Sequence, residues 1–79
     1  MTLAELKPGD VATIIALNGD ASTVQRLYEF GLLEGERVEC LTKAPLGDPL
    51  EIAVGNTRLS LRRNEAGAIT VEPLSHGTP

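Results

Sequence analysis

Leu50-Glu51-Ile52-Ala53-Val54-Gly55-Asn56-Thr57-Arg58-Leu59-Ser60-Leu61-Arg62 is the stretch whose reading decides the fold. Two alternating runs, Leu50 to Val54 and Thr57 to Arg62, flank Gly55-Asn56, a two-residue hairpin signal of the type II′ kind. A two-residue loop sets the register, so Val54 opposes Thr57, Ile52 opposes Leu59 and Leu50 opposes Leu61. These pairs share one face, while Glu51, Ala53, Arg58 and Ser60 share the other. A slip of one residue would send Leu59 and Leu61 into water, which makes the register well specified.

Working outward, Ala68 to Glu72 reads as a further strand with Ile69 and Val71 inward, reached through a helical turn at Arg63 to Gly67. On the other side, Ala44-Pro45-Leu46-Gly47-Asp48-Pro49 reads as an irregular loop, because two prolines bracket a glycine. Before it, Arg37 to Lys43 alternates as a strand with Val38, Cys40 and Thr42 on one face. Ser22-Thr23-Val24-Gln25 has the spacing of a capping box opening a helix through Phe30, with Val24, Leu27 and Tyr28 as its buried stripe. Gly31 stands where a left-handed C-terminal cap belongs, and Leu32 and Leu33 are expected to pack back on the helix. Asp10 to Leu17 is the first strand, apolar on both faces. Thr2 to Glu5 has capping-box spacing for a single turn, with Leu3 and Leu6 plugging one end of the core. Five short strands hide their apolar face most simply by curling. The expected fold is mainly β, a small five-stranded SH3-like barrel with one short helix inserted after the first strand. The domain is expected over residues 1–74, with 75–79 a tail lacking periodicity.

Composition narrows the function. Eleven acidic against seven basic residues leave a net charge of −4, which argues against nucleic acid, whose phosphates are met by Lys and Arg. Arg58, Arg62 and Arg63 fall close together, but no aromatic residues interleave to stack on bases. No apolar run approaches the ~20 residues that span a bilayer, and the amino terminus lacks the pattern of a signal peptide. One cysteine excludes an intrachain disulfide, so a cytoplasmic domain is expected. With one tail histidine, His76, and one cysteine, Cys40, expected in the core, no catalytic constellation assembles. No phosphate-binding glycine loop exists either. A non-enzymatic binding protein is the expectation.

Several segments occur in an order and spacing that resemble a known family. They are Leu6 with Gly9, the run Arg26-Leu27-Tyr28-Glu29-Phe30-Gly31-Leu32-Leu33-Glu34-Gly35, the loop Pro45-Leu46-Gly47-Asp48-Pro49, and the hairpin closing on Leu59 and Leu61. The resemblance is to the ferrous iron transport protein A (FeoA) family, and covers roughly Leu3 to Val71. The same domain occurs at the carboxyl end of iron- and manganese-dependent repressors. Leu33 and Glu34 depart from the family pattern, where a methionine-like residue and a proline are common. The resemblance implies an accessory of ferrous iron uptake, cytoplasmic and recruited to the inner membrane by the cytoplasmic region of a FeoB-type transporter. Two alternatives stand beside it. One is a regulatory peptide- or metal-sensing domain like that of metal-dependent repressors, disfavoured because the chain starts at Met1 without DNA-binding helices. The other is a generic SH3-like adaptor, disfavoured because only Tyr28 and Phe30 are available to line a proline-binding groove.

The candidate protein-binding residues are Arg26, Pro45, Leu46, Gly47, Asp48 and Pro49. Prolines stiffen the loop and reduce the ordering entropy lost on binding, and Leu46 is expected to be exposed. Arg26 precedes the buried Leu27, so its guanidinium should reach the surface, either to meet an acidic partner or to pair with Glu29 at i+3. Ferrous iron favours clustered His and carboxylate ligands. Glu34 with Glu36 is the nearest approach to such a cluster, and no metal ligand or cofactor is expected.

Overall fold

The computed structural model describes residues 1–74; the tail read from Ser75 to Pro79, with His76, lies outside the described residues. Five strands form one antiparallel sheet: β1 (Val11–Leu17), β2 (Arg37–Lys43), β3 (Leu50–Val54), β4 (Thr57–Leu61) and β5 (Ile69–Pro73). The nine-residue helix α1 (Ala21–Glu29) follows β1, and the one-turn α2 (Arg63–Ala66) separates β4 from β5. The strand order is β4-β3-β2-β1-β5.

The hairpin has the register that its loop length dictates, with Val54↔Thr57, Ile52↔Leu59 and Leu50↔Leu61. Gly55 carries φ +58° while Asn56 stays at negative φ, the requirement of a type II′ turn at its first central residue. One buried cluster takes side chains from every strand, including Ala12, Ile14, Val38, Cys40, Ile52, Leu61, Ile69 and Val71. The core is aliphatic, and no polar or charged residue is buried in it among the described residues.

The strand ladder does not close into a barrel. β4 and β5 lie at opposite edges of the sheet and are not hydrogen-bonded to each other. After Leu61 the chain turns through α2 and crosses to the opposite edge of the sheet before β5 begins. Apolar plugs do the work of closure: Leu3 and Leu6 at the amino end and Ala66 of α2 are fully or almost fully buried. The amino terminus also covers the β5 edge, through a Thr2↔Thr70 bridge and the Val71 N–H donated to Met1 O at 2.9 Å. An edge occupied in this way is unavailable for pairing with other chains.

Local readings are corrected where side chains compete. The N-cap of α1 is Asp20 rather than Ser22, because the Asp20 carboxylate accepts the Thr23 N–H at 2.8 Å and the Ser22 hydroxyl at 3.0 Å. Of the expected stripe only Leu27 is buried; Val24 is partly covered and Tyr28 is 38% exposed. Leu32 packs inward as expected but Leu33 is 44% exposed. In β2, Val38 and Cys40 are buried, yet Thr42 is exposed because a register shift between Cys40 and Thr42 breaks the alternation. Ala44 to Pro49 is not wholly irregular: Pro45–Gly47 forms a three-residue 3-10 turn.

Candidate functional site

The segment joining β2 to β3 is set by two proline-imposed bends and a left-handed residue that is not glycine. Leu46 holds φ 68° and ψ 10°, a conformation that crowds the Cβ of an L-residue and costs about 1–2 kcal/mol. Gly47 N–H donates to Ala44 O at 2.8 Å and Ala44 N–H to Pro49 O at 2.9 Å, so both ends of the turn are tied. The outcome is an apolar side chain held outward: Leu46 is 94% exposed. Pro45, Asp48 and Pro49 are exposed beside it, and Gly47 is half-buried. Asp48 also accepts the Arg63 N–H at 3.1 Å, which moors the loop to the start of α2.

Arg26 reaches the surface from α1, with its side chain 58% exposed, but its partner is not Glu29. The guanidinium pairs with Glu65 of α2, thirty-nine residues away, while Glu29 accepts instead from Gln25 Nε2 at 3.3 Å. Glu65 has a double role, for its other carboxylate oxygen accepts the Arg62 N–H at 2.9 Å and starts the α2 turn. Arg26 and Asp48 therefore meet on one open cleft of ≈ 730 Å³, whose walls also carry Arg62, Arg63 and Glu65. Ala4 and Gly67 contribute the small residues of this cleft, and the Ala4 carbonyl is itself fixed by Lys43 Nζ at 2.8 Å. Pro45, Leu46, Gly47 and Pro49 do not line it. The six candidate residues thus fall on two surfaces joined through Asp48: an apolar knob and a charged cleft.

The contribution of Arg62, Arg63 and Glu65 was readable only in part. The three arginines near β4 are visible as a local basic group, and Arg62-Arg63-Asn64-Glu65 has the i, i+3 spacing of a turn capped by glutamate. That α1 would lay Arg26 across this turn has no signal in the sequence. Elsewhere, the Tyr28 hydroxyl donates to the Glu34 carboxylate at 2.9 Å, and this bond raises the phenol above its ordinary 10.0. Burial likewise pushes the Cys40 thiol up, as expected of a cysteine in an apolar core. Among the described residues no three His, Cys, Asp or Glu side chains converge on a position that could hold a metal ion. No helix among them is long and apolar enough to cross a membrane.

An open five-stranded sheet plugged by short helical turns, with its most exposed apolar side chain on a connecting segment, defines a small β-sheet domain. The FeoA domain model matches residues 1–73, and the chain belongs to that family. It is 36% identical over 75 residues to an Fe(2+) transport protein A/Fe(2+) transporter FeoB fusion protein of Porphyromonas gingivalis, covering 95% of this chain and 9% of that protein. The chain thus spans less than a tenth of that relative's length. A zinc complex of FeoA from Stenotrophomonas maltophilia, described as a procaryotic SH3 domain protein, superimposes with a TM-score of 0.81. It is 36% identical, with 91% of this chain and 89% of that one covered, so the fold is SH3-like. A manganese-dependent transcriptional repressor shares the fold at 20% identity and a TM-score of 0.86, over 94% of this chain and 36% of the repressor.

Proposed function

We propose that this chain is a non-catalytic accessory domain of ferrous iron uptake that docks on the cytoplasmic region of a FeoB-type transporter and supports or regulates it. The observation that carries the reading is the fusion relative, in which a FeoA segment and the transporter occupy one polypeptide. Covalent linkage raises the effective concentration of two modules to roughly millimolar, which favours a pair that works in contact. On this reading the chain acts at the cytoplasmic face of the membrane, held there by its partner.

The docking surface is the Leu46 knob with Arg26 beside the cleft. A fully exposed leucine on a strained, tethered turn supports this reading, because backbone strain persists where surrounding structure imposes it and gathers at functional positions. Binding there loses little loop entropy, since the turn is already ordered. The test is a pull-down of detergent-solubilised transporter from the same organism by the full chain. The wild type retains the transporter, while Leu46→Asp and Arg26→Glu release it with their folds intact. Retention by a folded Leu46→Asp protein sinks the loop assignment, and no retention by the wild type in either nucleotide state of the transporter sinks the docking itself.

A further inference from the structure

The cleft between α1 and α2 is lined by three arginines, Arg26, Arg62 and Arg63, and two acidic residues, Asp48 and Glu65. Both carboxylates already have partners: Glu65 takes Arg26 and the Arg62 N–H, and Asp48 takes the Arg63 N–H. The Arg62 and Arg63 guanidinium groups are exposed and form no ion pair among the described residues. One positive charge is thus left over in a concave site, on a chain whose net charge is −4. The cleft is open to solvent, so its attraction is short-ranged and exerted on a group in direct contact.

We propose that this cleft binds a carboxylate of an acidic peptide segment, with Arg62 and Arg63 gripping it and Arg26 exchanging Glu65 for it. The inference names the chemistry of the segment received beside Arg26, and to that extent rests on the docking reading. The planar guanidinium fork matches either a carboxylate or a phosphate in bidentate geometry. Two features select the carboxylate. The surplus is a single charge, which one carboxylate neutralises and a phosphate dianion exceeds. Asp48 and Glu65 within the same walls would repel that second negative charge. Glu65 acts as the resident occupant: it holds Arg26 in place in the free domain and yields it when an equivalent oxygen pair arrives.

The test is a titration of the full chain with the acetylated, amidated peptide Gly-Ser-Glu-Ser-Gly, which carries one carboxylate, followed by backbone amide NMR, with inorganic phosphate as the second arm. The expected result is saturable shifts at Ala4, Arg26 and Arg62 to Gly67, weakened about tenfold or more in Arg62→Glu/Arg63→Glu, where two attractive charges become repulsive. Both positions are exposed, so the variant keeps its fold, which the same spectra check. Glu65→Gln keeps an oxygen for the Arg62 N–H but releases Arg26, and should bind the peptide several-fold more tightly. The proposal is overturned if the peptide produces no shifts at millimolar concentration. It is overturned equally if the double variant binds as well as the wild type, if Glu65→Gln weakens binding, or if phosphate binds as tightly as the peptide. The transporter pull-down is read separately, so peptide binding without transporter retention retires the docking reading and leaves the cleft assigned, and the converse retires only the cleft.

Discussion

Replacing Leu46 with glycine separates what this residue does for the fold from what it does for binding. The side chain is 94% exposed, so removing it opens no cavity and gives up almost no packing. At φ 68° the leucine bears a left-handed penalty of about 1–2 kcal/mol, which glycine does not. Glycine in turn frees the unfolded chain, which costs about 0.5–1 kcal/mol. The difference favours glycine by about 0–1.5 kcal/mol, so thermal unfolding followed by circular dichroism should stay level or rise by up to about 10 °C for a domain of this size. Binding answers differently. Burying a whole leucine side chain against a partner contributes about 1.5–3 kcal/mol, so Leu46→Gly should weaken docking to the transporter about 10- to 150-fold. Leu46→Ala is the companion: it loses the same apolar contact but keeps a Cβ in the strained position, so it should bind as weakly and melt slightly lower than the glycine variant. Equilibrium binding to transporter in nanodiscs reads both. Unchanged affinity in the two variants would refute the knob, and a large loss of stability in Leu46→Gly would refute the account of the turn.

Three further outcomes follow from the fold. Ile52 lies fully buried in the core, opposite Leu59, so Ile52→Ala should lower unfolding free energy by about 2–5 kcal/mol in urea titration, while its exposed neighbour Glu51→Ala changes it by less than about 0.5. The Asp20 carboxyl is held below its ordinary 3.8, chiefly by the Thr23 N–H and then by the Thr23 and Ser22 side chains. Its contribution is therefore present above that value and lost as pH falls through the lower folded value, so Asp20→Asn should flatten part of the acid limb of a melting-temperature profile between about pH 5 and 2. Cys40 is buried with its thiol pushed up, so a thiol-specific chromogenic reagent should react at the rate of unfolding, and immediate reaction in native buffer would contradict its place in the core.

The hairpin was legible because a two-residue loop leaves one register that keeps Leu59 and Leu61 from water. The outward position of Leu46 was legible for a similar reason, as prolines on both sides leave no ladder for it to join. The helix was legible in place but not in face. Apolar spacing at Val24, Leu27 and Tyr28 shows which residues share a side, not how deeply a nine-residue helix sinks, and here it sinks only to Leu27. Its cap was ambiguous because Asp20 and Ser22 both offer oxygens to the first turn, and the carboxylate wins the Thr23 N–H. Barrel closure could not be read from strand count, since Leu3, Leu6 and Ala66 complete the core as well as a further ladder would. The Arg26–Glu65 pair escaped because it joins two elements that sequence separates by thirty-nine residues. Local pattern favours the i+3 partner Glu29, which tertiary packing overrides.

The central claim, that this domain works against a FeoB-type transporter, is tested most directly by placing a photo-activated cross-linking amino acid at position 46 in cells that carry the transporter. A cross-linked species containing the transporter's cytoplasmic region should form, and should be lost when Arg26→Glu is added. Cross-links from position 46 that never include the transporter, in cells where both proteins are present, would contradict it.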